Sequence, residues 1–223
     1  MAYGTAYHLT LEAVNQHLLK TKQALPLAEV LERFRLALRS EVITEDDYEG
    51  WLKQGQKSLT EYFKQNLSND QIIMAEQQFG FSPLATYLGD IHLTGKIDRV
   101  DWFDRDKKQV RVIDYKTGRV RSINDIEGRT QTSRLSEREQ TLPEGIRGPY
   151  KRQLVFYKLL TQLAADFPYQ AVERVLEFVE PVKGGNKFVS RRFDLLDEDV
   201  RDLKQLIREV MAEIRALKFL EFI

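Results

Sequence analysis

Cysteine is absent from all 223 residues. Disulfides, thiolate zinc sites and a cysteine-held iron–sulfur cluster are therefore excluded within this chain, and the composition suits a reducing cytoplasm. Long apolar runs are absent as well. None approaches the ~18 residues of a membrane span, and no basic-then-apolar signal pattern opens the chain, so no membrane partner is expected. Net charge is missing too: Lys and Arg balance Asp and Glu at 34 each. A global positive field thus cannot be the basis for holding a polyanion; any such field must be local. There is no internal repeat and no low-complexity segment. The length suits one domain with a sizeable core over residues 1–223.

What the sequence does contain is organised around Ile113-Asp114-Tyr115-Lys116-Thr117-Gly118. Val110 to Ile113 is β-branched and alternating, so it reads as a strand with one buried face. Asp114 and Lys116, two residues apart, then share a strand face at a separation of roughly 6–7 Å. Alone, the pair could be a surface ion pair at a hairpin end. The preceding strand, Thr94 to Asp101, changes this by delivering a second carboxylate, Asp98. Folded as a hairpin around Phe103 to Lys108, the two strands place Asp98 beside Asp114. Two carboxylates and a lysine converging in this way suit a divalent cation and a phosphate.

Around that centre, residues 1–70 read as a helical region. Leu11, Val14 and Leu18 form one apolar stripe; Val30, Leu31, Phe34 and Leu38 a second; Trp51 to Phe63 mark a third helix. His8 and Glu12 share a face of the first. Residues 71–223 read as a sheet-containing core: Gln71–Phe79, Ile91–Trp102 and Gln109–Tyr115 as an antiparallel meander, then a helix from Pro149 to about Ala165. A hairpin follows around Gly184-Gly185-Asn186, then an amphipathic helix over Asp197–Leu217 with Val200, Leu203, Leu206, Ile207, Val210 and Ile214 inward. Glu76 either supports the centre or faces water. Between Arg119 and Arg152 periodicity dissolves into eight basic and five acidic residues, a net +3. That stretch is either a solvated insertion or a basic flap that contacts phosphates.

Four separated pieces resemble one family. Gly4-Thr5-Ala6-Tyr7-His8, Gly95-Lys96-Ile97-Asp98-Arg99-Val100-Asp101, Asp114-Tyr115-Lys116-Thr117-Gly118 and Gln153-Leu154-Val155-Phe156-Tyr157 stand in that order. Together they are similar to the RecB-type nuclease domains of the PD-(D/E)xK superfamily, found in helicase–nucleases and related exonucleases. The resemblance implies an α/β, restriction-endonuclease-like fold: a mixed sheet flanked by helices, with a helical N-terminal region. It implies His8, Asp98 and Asp114 as metal ligands, with the Tyr115 carbonyl as a fourth, and Asp98, Asp114 and Lys116 as the catalytic set. Oxygen donors with one imidazole suit Mg²⁺ or Mn²⁺. Gln153 and Tyr157 are implied to support the site and meet DNA, and Arg129, Arg134, Arg138, Lys151 and Arg152 are added as backbone contacts.

Relatives that carry an iron–sulfur cluster hold it with cysteines that do not exist here. Met1 also stands only seven residues before His8, which suggests a piece of a longer protein with helicase domains upstream. Two function classes stay open: a metal-dependent DNA nuclease, and a catalytically silent module that binds DNA or braces a helicase. A different metal-dependent phosphoesterase is disfavoured, because His8, His17 and His92 are too few for a histidine-rich ligand set. The intact Asp98, Asp114 and Lys116 favour the nuclease.

Overall fold

Residues 2–65, 71–182 and 185–217 are described by a computed structural model. Three helices come first, α1 (Ala2–Thr21), α2 (Leu27–Arg39) and α3 (Glu45–Gln65). β1 (Ile72–Phe79) follows, then a short ladder of β2 (Tyr87–Leu88) and β3 (Ile91–His92), then β4 (Gly95–Asp104) and β5 (Gln109–Lys116). Three short helices come next: α4 (Ile123–Ile126), α5 (Glu137–Gln140) and α6 (Glu144–Arg147). The chain then runs through α7 (Pro149–Leu163), β6 (Gln170–Phe178), β7 (Val189–Phe193) and α8 (Asp197–Arg215). The main sheet has the order β1-β4-β5-β6-β7. This is the mixed sheet flanked by helices that the sequence pattern implied, with the N-terminal region helical as expected.

The chain divides into two compact units: Met1–Gln77 with Ile97–Val120 and Val175–Arg192, and Gln78–Lys96 with Arg121–Arg174 and Phe193–Ile223. In the first, the stripes of α1 to α3 meet the sheet. Tyr7, Leu11, Phe34, Leu38 and Leu59 join Ile113, Tyr115 and Val175 in one buried cluster. Each such side chain contributes about 1.5–3 kcal/mol. Phe34 packs edge-on to Tyr7 at 5.9 Å and against the backbone of Gly55, where a Cβ would lie 2.1 Å from its ring. Only glycine lets α2 and α3 approach this closely.

In the second unit α7 buries Leu154, Val155, Leu159 and Leu160, and α8 buries Val200 and Leu203. The expected α8 stripe is thus buried only over its first turns. Ile214, placed inward by periodicity, is exposed. The expected strand over Ile91–Trp102 is also broken in two. Leu93 N–H donates to the Thr86 carbonyl and Thr86 Oγ1 to that of Leu93, which draws Ile91 and His92 into a ladder of their own with Tyr87 and Leu88. Met1, Asn66 and Gly184 of the expected elements lie outside the described residues.

The stretch from Arg119 to Arg152 is not a featureless loop. Four-residue helices are too short to show periodicity, and here local caps start them. Ser122 caps α4, and Ser136 with Glu139 forms a capping box on α5. Asp125 accepts from the Thr130 and Thr132 hydroxyls, tying the turn together. Backbone N–H donation from Ser136, reinforced by Arg152, brings the Glu139 carboxyl from its ordinary 4.5 down to about 2. Because the folded value is depressed, this contribution is complete above pH 4.5 and is lost as pH falls toward 2. Glu139→Gln should therefore cost about 1 kcal/mol at neutral pH, the side chain being partly open to solvent. The deficit should vanish by about pH 2. Urea titrations of both proteins at several pH values would show it, and a pH-independent difference would refute the capping role.

Candidate active site

β4 and β5 pair antiparallel, with Arg99 opposite Ile113, Val100 opposite Val112 and Asp101 opposite Arg111. One step further along that ladder stand Asp98 and Asp114. Both are buried, at 6% and 2% exposure. The Tyr115 N–H donates to Asp98 Oδ2 at 2.8 Å, and His8 Nδ1 from α1 lies 3.5 Å from the same oxygen. Lys116 Nζ lies 2.6 Å from Asp114 Oδ2. His8, Asp98, Asp114, Tyr115 and Lys116, drawn from three separate stretches of sequence, thus belong to one unit.

Strand alternation sorts the work between two faces. Asp98, Asp114 and Lys116 have even numbers and share one face. Ile113 and Tyr115 point the other way, into the cluster they share with α1 to α3. Tyr115 Oη accepts from Asn15 Nδ2 at 3.1 Å and from Arg99 Nη1 at 3.3 Å. Arg99 in turn grips Asp101 in a fork of two 2.6 Å bonds. Burial alone would lower Arg99, but Tyr115 and Asp101 outweigh it and hold the guanidinium protonated. With its side chain used this way, Tyr115 has only its backbone to offer the opposite face, which agrees with a role for its carbonyl.

A second set of contacts fixes the end of β5. Tyr7 Oη and Ser58 Oγ both donate to the Val179 carbonyl, at 2.8 and 2.7 Å. Val179 N–H donates to the Lys116 carbonyl at 3.0 Å. Gly118, at a φ of 90° that side chains rarely adopt, donates its N–H to Glu180 Oε1 at 2.9 Å. Glu180 also accepts from Gln54 at 2.9 Å. Glu180, Ser58 and Asn15 carry no local signal, since their partners lie 51 to 126 residues away. The Arg99–Asp101 pair was legible in principle, two residues apart on one strand face. Glu76 is half-buried within β1, with a positive φ of 53°.

The donor set fits a hard divalent cation. Two buried carboxylates at neighbouring positions repel each other unless a positive charge joins them, and Lys116 offsets this only in part. Asp98, Asp114, His8 and the Tyr115 carbonyl are the groups that would hold the ion. Among the described residues, no three His, Asp or Glu side chains already converge as a finished cage.

The remaining residues singled out by sequence belong to the second unit. Gln153 Nε2 donates to Tyr157 Oη at 2.8 Å on one face of α7, with Tyr157 buried. Arg138 forks onto Glu213 at 2.8 and 3.0 Å. Arg152 pairs with Glu139 at 2.5 Å and Lys151 with Glu127 at 3.4 Å. Arg129 pairs with Glu127 at 2.9 Å, yet it also lines a cavity of 530 Å³ together with Arg134 and Arg147. Arg147 was not among the expected contacts. Nothing in its local sequence separates it from its neighbours.

A family model described as the PD-(D/E)XK nuclease superfamily matches residues 1–221. The chain belongs to that superfamily, whose members are generally nucleases that use divalent metals. No curated protein matches it closely enough to count as a relative. No helix among the described residues is long and apolar enough to cross a membrane.

Proposed function

We propose that this chain is a divalent-metal-dependent deoxyribonuclease, the RecB-like nuclease part of a helicase–nuclease that trims DNA ends as an exonuclease in repair or recombination. The observation that carries this reading is the opposition of buried Asp98 and Asp114 with Lys116 two residues on. A bound Mg²⁺ or Mn²⁺ supplies Lewis-acid stabilisation of phosphoryl charge and lowers the pKa of a water. The chain's own contribution is placement. Asp98 and Asp114 set where the cation and phosphate meet, and the Lys116 ammonium offers a fixed positive charge to the oxygen on which negative charge develops. A silent module would have no use for all three. The lack of cysteine suits work in the cytoplasm.

The test is incubation of the purified protein with end-labelled linear and closed circular DNA. Linear DNA should be degraded from its ends while circles survive. Mn²⁺ should support cleavage at least as well as Mg²⁺, given one imidazole among the donors. Cleavage of circles at the same rate would overturn the exonuclease assignment.

DNA contact is proposed for the Arg129–Arg134–Arg147 concavity, with Arg138 more closely neutralised by Glu213. Replacing Arg129, Arg134 and Arg147 by alanine should weaken DNA binding and reduce the log–log salt slope by about 0.9 for each phosphate no longer neutralised. Arg138→Ala should change the slope least. Equal slopes for the triple variant and the parent would return the segment to a purely structural role.

A further inference from the structure

Arg174 on β6 sits at 4% exposure with its Nε wholly buried and no hydrogen-bond partner. No carboxylate pairs with it among the described residues. The other deeply buried arginine, Arg99, has its charge met by the Asp101 fork. A buried guanidinium with no counter-charge costs several kcal/mol unless something anionic joins it. Burial lowers Arg174 to about 10, so it is still a cation at neutral pH.

Arg174 lines a 430 Å³ cavity within the second unit, beside Lys158, Gln162, Tyr169, Asp194 and Asp197. The space is many times that of one water, which takes about 30 Å³. Lys158 is already committed: its Nζ lies 2.8 Å from Asp197 Oδ1 and donates to the Leu195 carbonyl at 2.6 Å. Asp194 is exposed and pairs with neither cation. An incoming anion therefore meets the uncompensated charge of Arg174, opposed only by the exposed and solvent-screened carboxylate of Asp194 on the same lining. The planar guanidinium fork matches the oxygens of phosphate better than an ammonium does. The exposed amide of Gln162 stands at the same cavity as a further donor.

We infer that this cavity is a binding site for a phosphate monoester, with Arg174 as its anchor and Gln162 at its rim. The site is separate from the Asp98–Asp114 centre and does not depend on the nuclease reading. Inorganic phosphate and a nucleoside 5′-monophosphate share the required chemistry, and the two are told apart by relative affinity.

The experiment is thermal unfolding and calorimetry of the full chain in EDTA, so that no divalent ion can capture phosphate elsewhere. Phosphate or a nucleoside monophosphate at about 10 mM is compared with chloride at equal ionic strength. The parent should gain at least about 2 °C in Tm, by the ordinary linkage of binding to stability. Tighter binding of the nucleotide than of phosphate would assign the rest of the cavity to the nucleoside. Arg174→Met keeps bulk without charge and should lose the gain entirely. The exposed Gln162→Glu leaves folding alone, and its added carboxylate should weaken binding at least fivefold. No gain in the parent beyond chloride overturns the proposal. So does an unchanged gain in Arg174→Met, or an unchanged affinity in Gln162→Glu should the methionine variant not fold.

Discussion

Lys116→Ala should lower the single-turnover rate of DNA cleavage by about 10²–10³ while leaving Mn²⁺ binding intact or slightly tighter. The rate falls because the variant removes the cation fixed beside Asp114 on the carboxylate face. Metal affinity should not fall, because Lys116 has no part in the proposed ligand set and, at 2.6 Å from Asp114 Oδ2, competes for an oxygen proposed as a ligand. Asp114→Ala should do the reverse in binding, losing Mn²⁺ affinity and cleavage together. Calorimetric Mn²⁺ titration beside a quenched single-turnover assay separates the two. A surface ion pair with no catalytic part would leave both variants near the parental rate, but Asp114 is 2% exposed and removing one partner of such a pair is not neutral.

Asp101→Ala should cost about 3–5 kcal/mol of stability, the typical penalty for stranding one member of a buried pair. Its carboxylate holds both Arg99 Nε and Nη2 at 2.6 Å in a setting where Arg99 is 8% exposed. The same guanidinium reaches Tyr115, the residue between Asp114 and Lys116, so the change also loosens the strand that positions them. Urea denaturation in EDTA measures it. Replacing both partners, Arg99→Met with Asp101→Leu, should recover most of the stability, since no charge is then left buried. A cost under about 1 kcal/mol for Asp101→Ala alone would mean that Arg99 finds other partners.

How far the sequence reached follows from the range of the interactions involved. β4 and β5 were legible because alternation and β-branching act over a few residues, and the opposition of Asp98 and Asp114 followed from pairing them as a hairpin. The antiparallel register bears that out. What the alternation did not convey is that β5 is buried on both faces, since Ile113 and Tyr115 pack on the helices while Asp114 is buried opposite. The brace at the end of β5 was hidden for a different reason. Glu180 and Ser58 act through backbone groups far along the chain, and only the fold brings them there. The short helices between Ile123 and Arg147 were hidden because four residues carry no period, although the Ser136–Glu139 box was readable. The ion pairs that occupy Arg138 and Arg152 are tertiary, and a net +3 read from composition could not foresee them.

Asp98, Asp114 and Lys116 are proposed to form a metal-dependent centre for phosphodiester hydrolysis. The most direct measurement follows release of end label from linear DNA by the purified parent and Lys116→Ala, each with Mn²⁺ and after exhaustive EDTA treatment. The predicted result is cleavage by the parent with Mn²⁺, none after EDTA, and at least a hundredfold slower release by Lys116→Ala, as removal of such a charge entails. Undiminished cleavage after EDTA, or parental rates from Lys116→Ala, would contradict it.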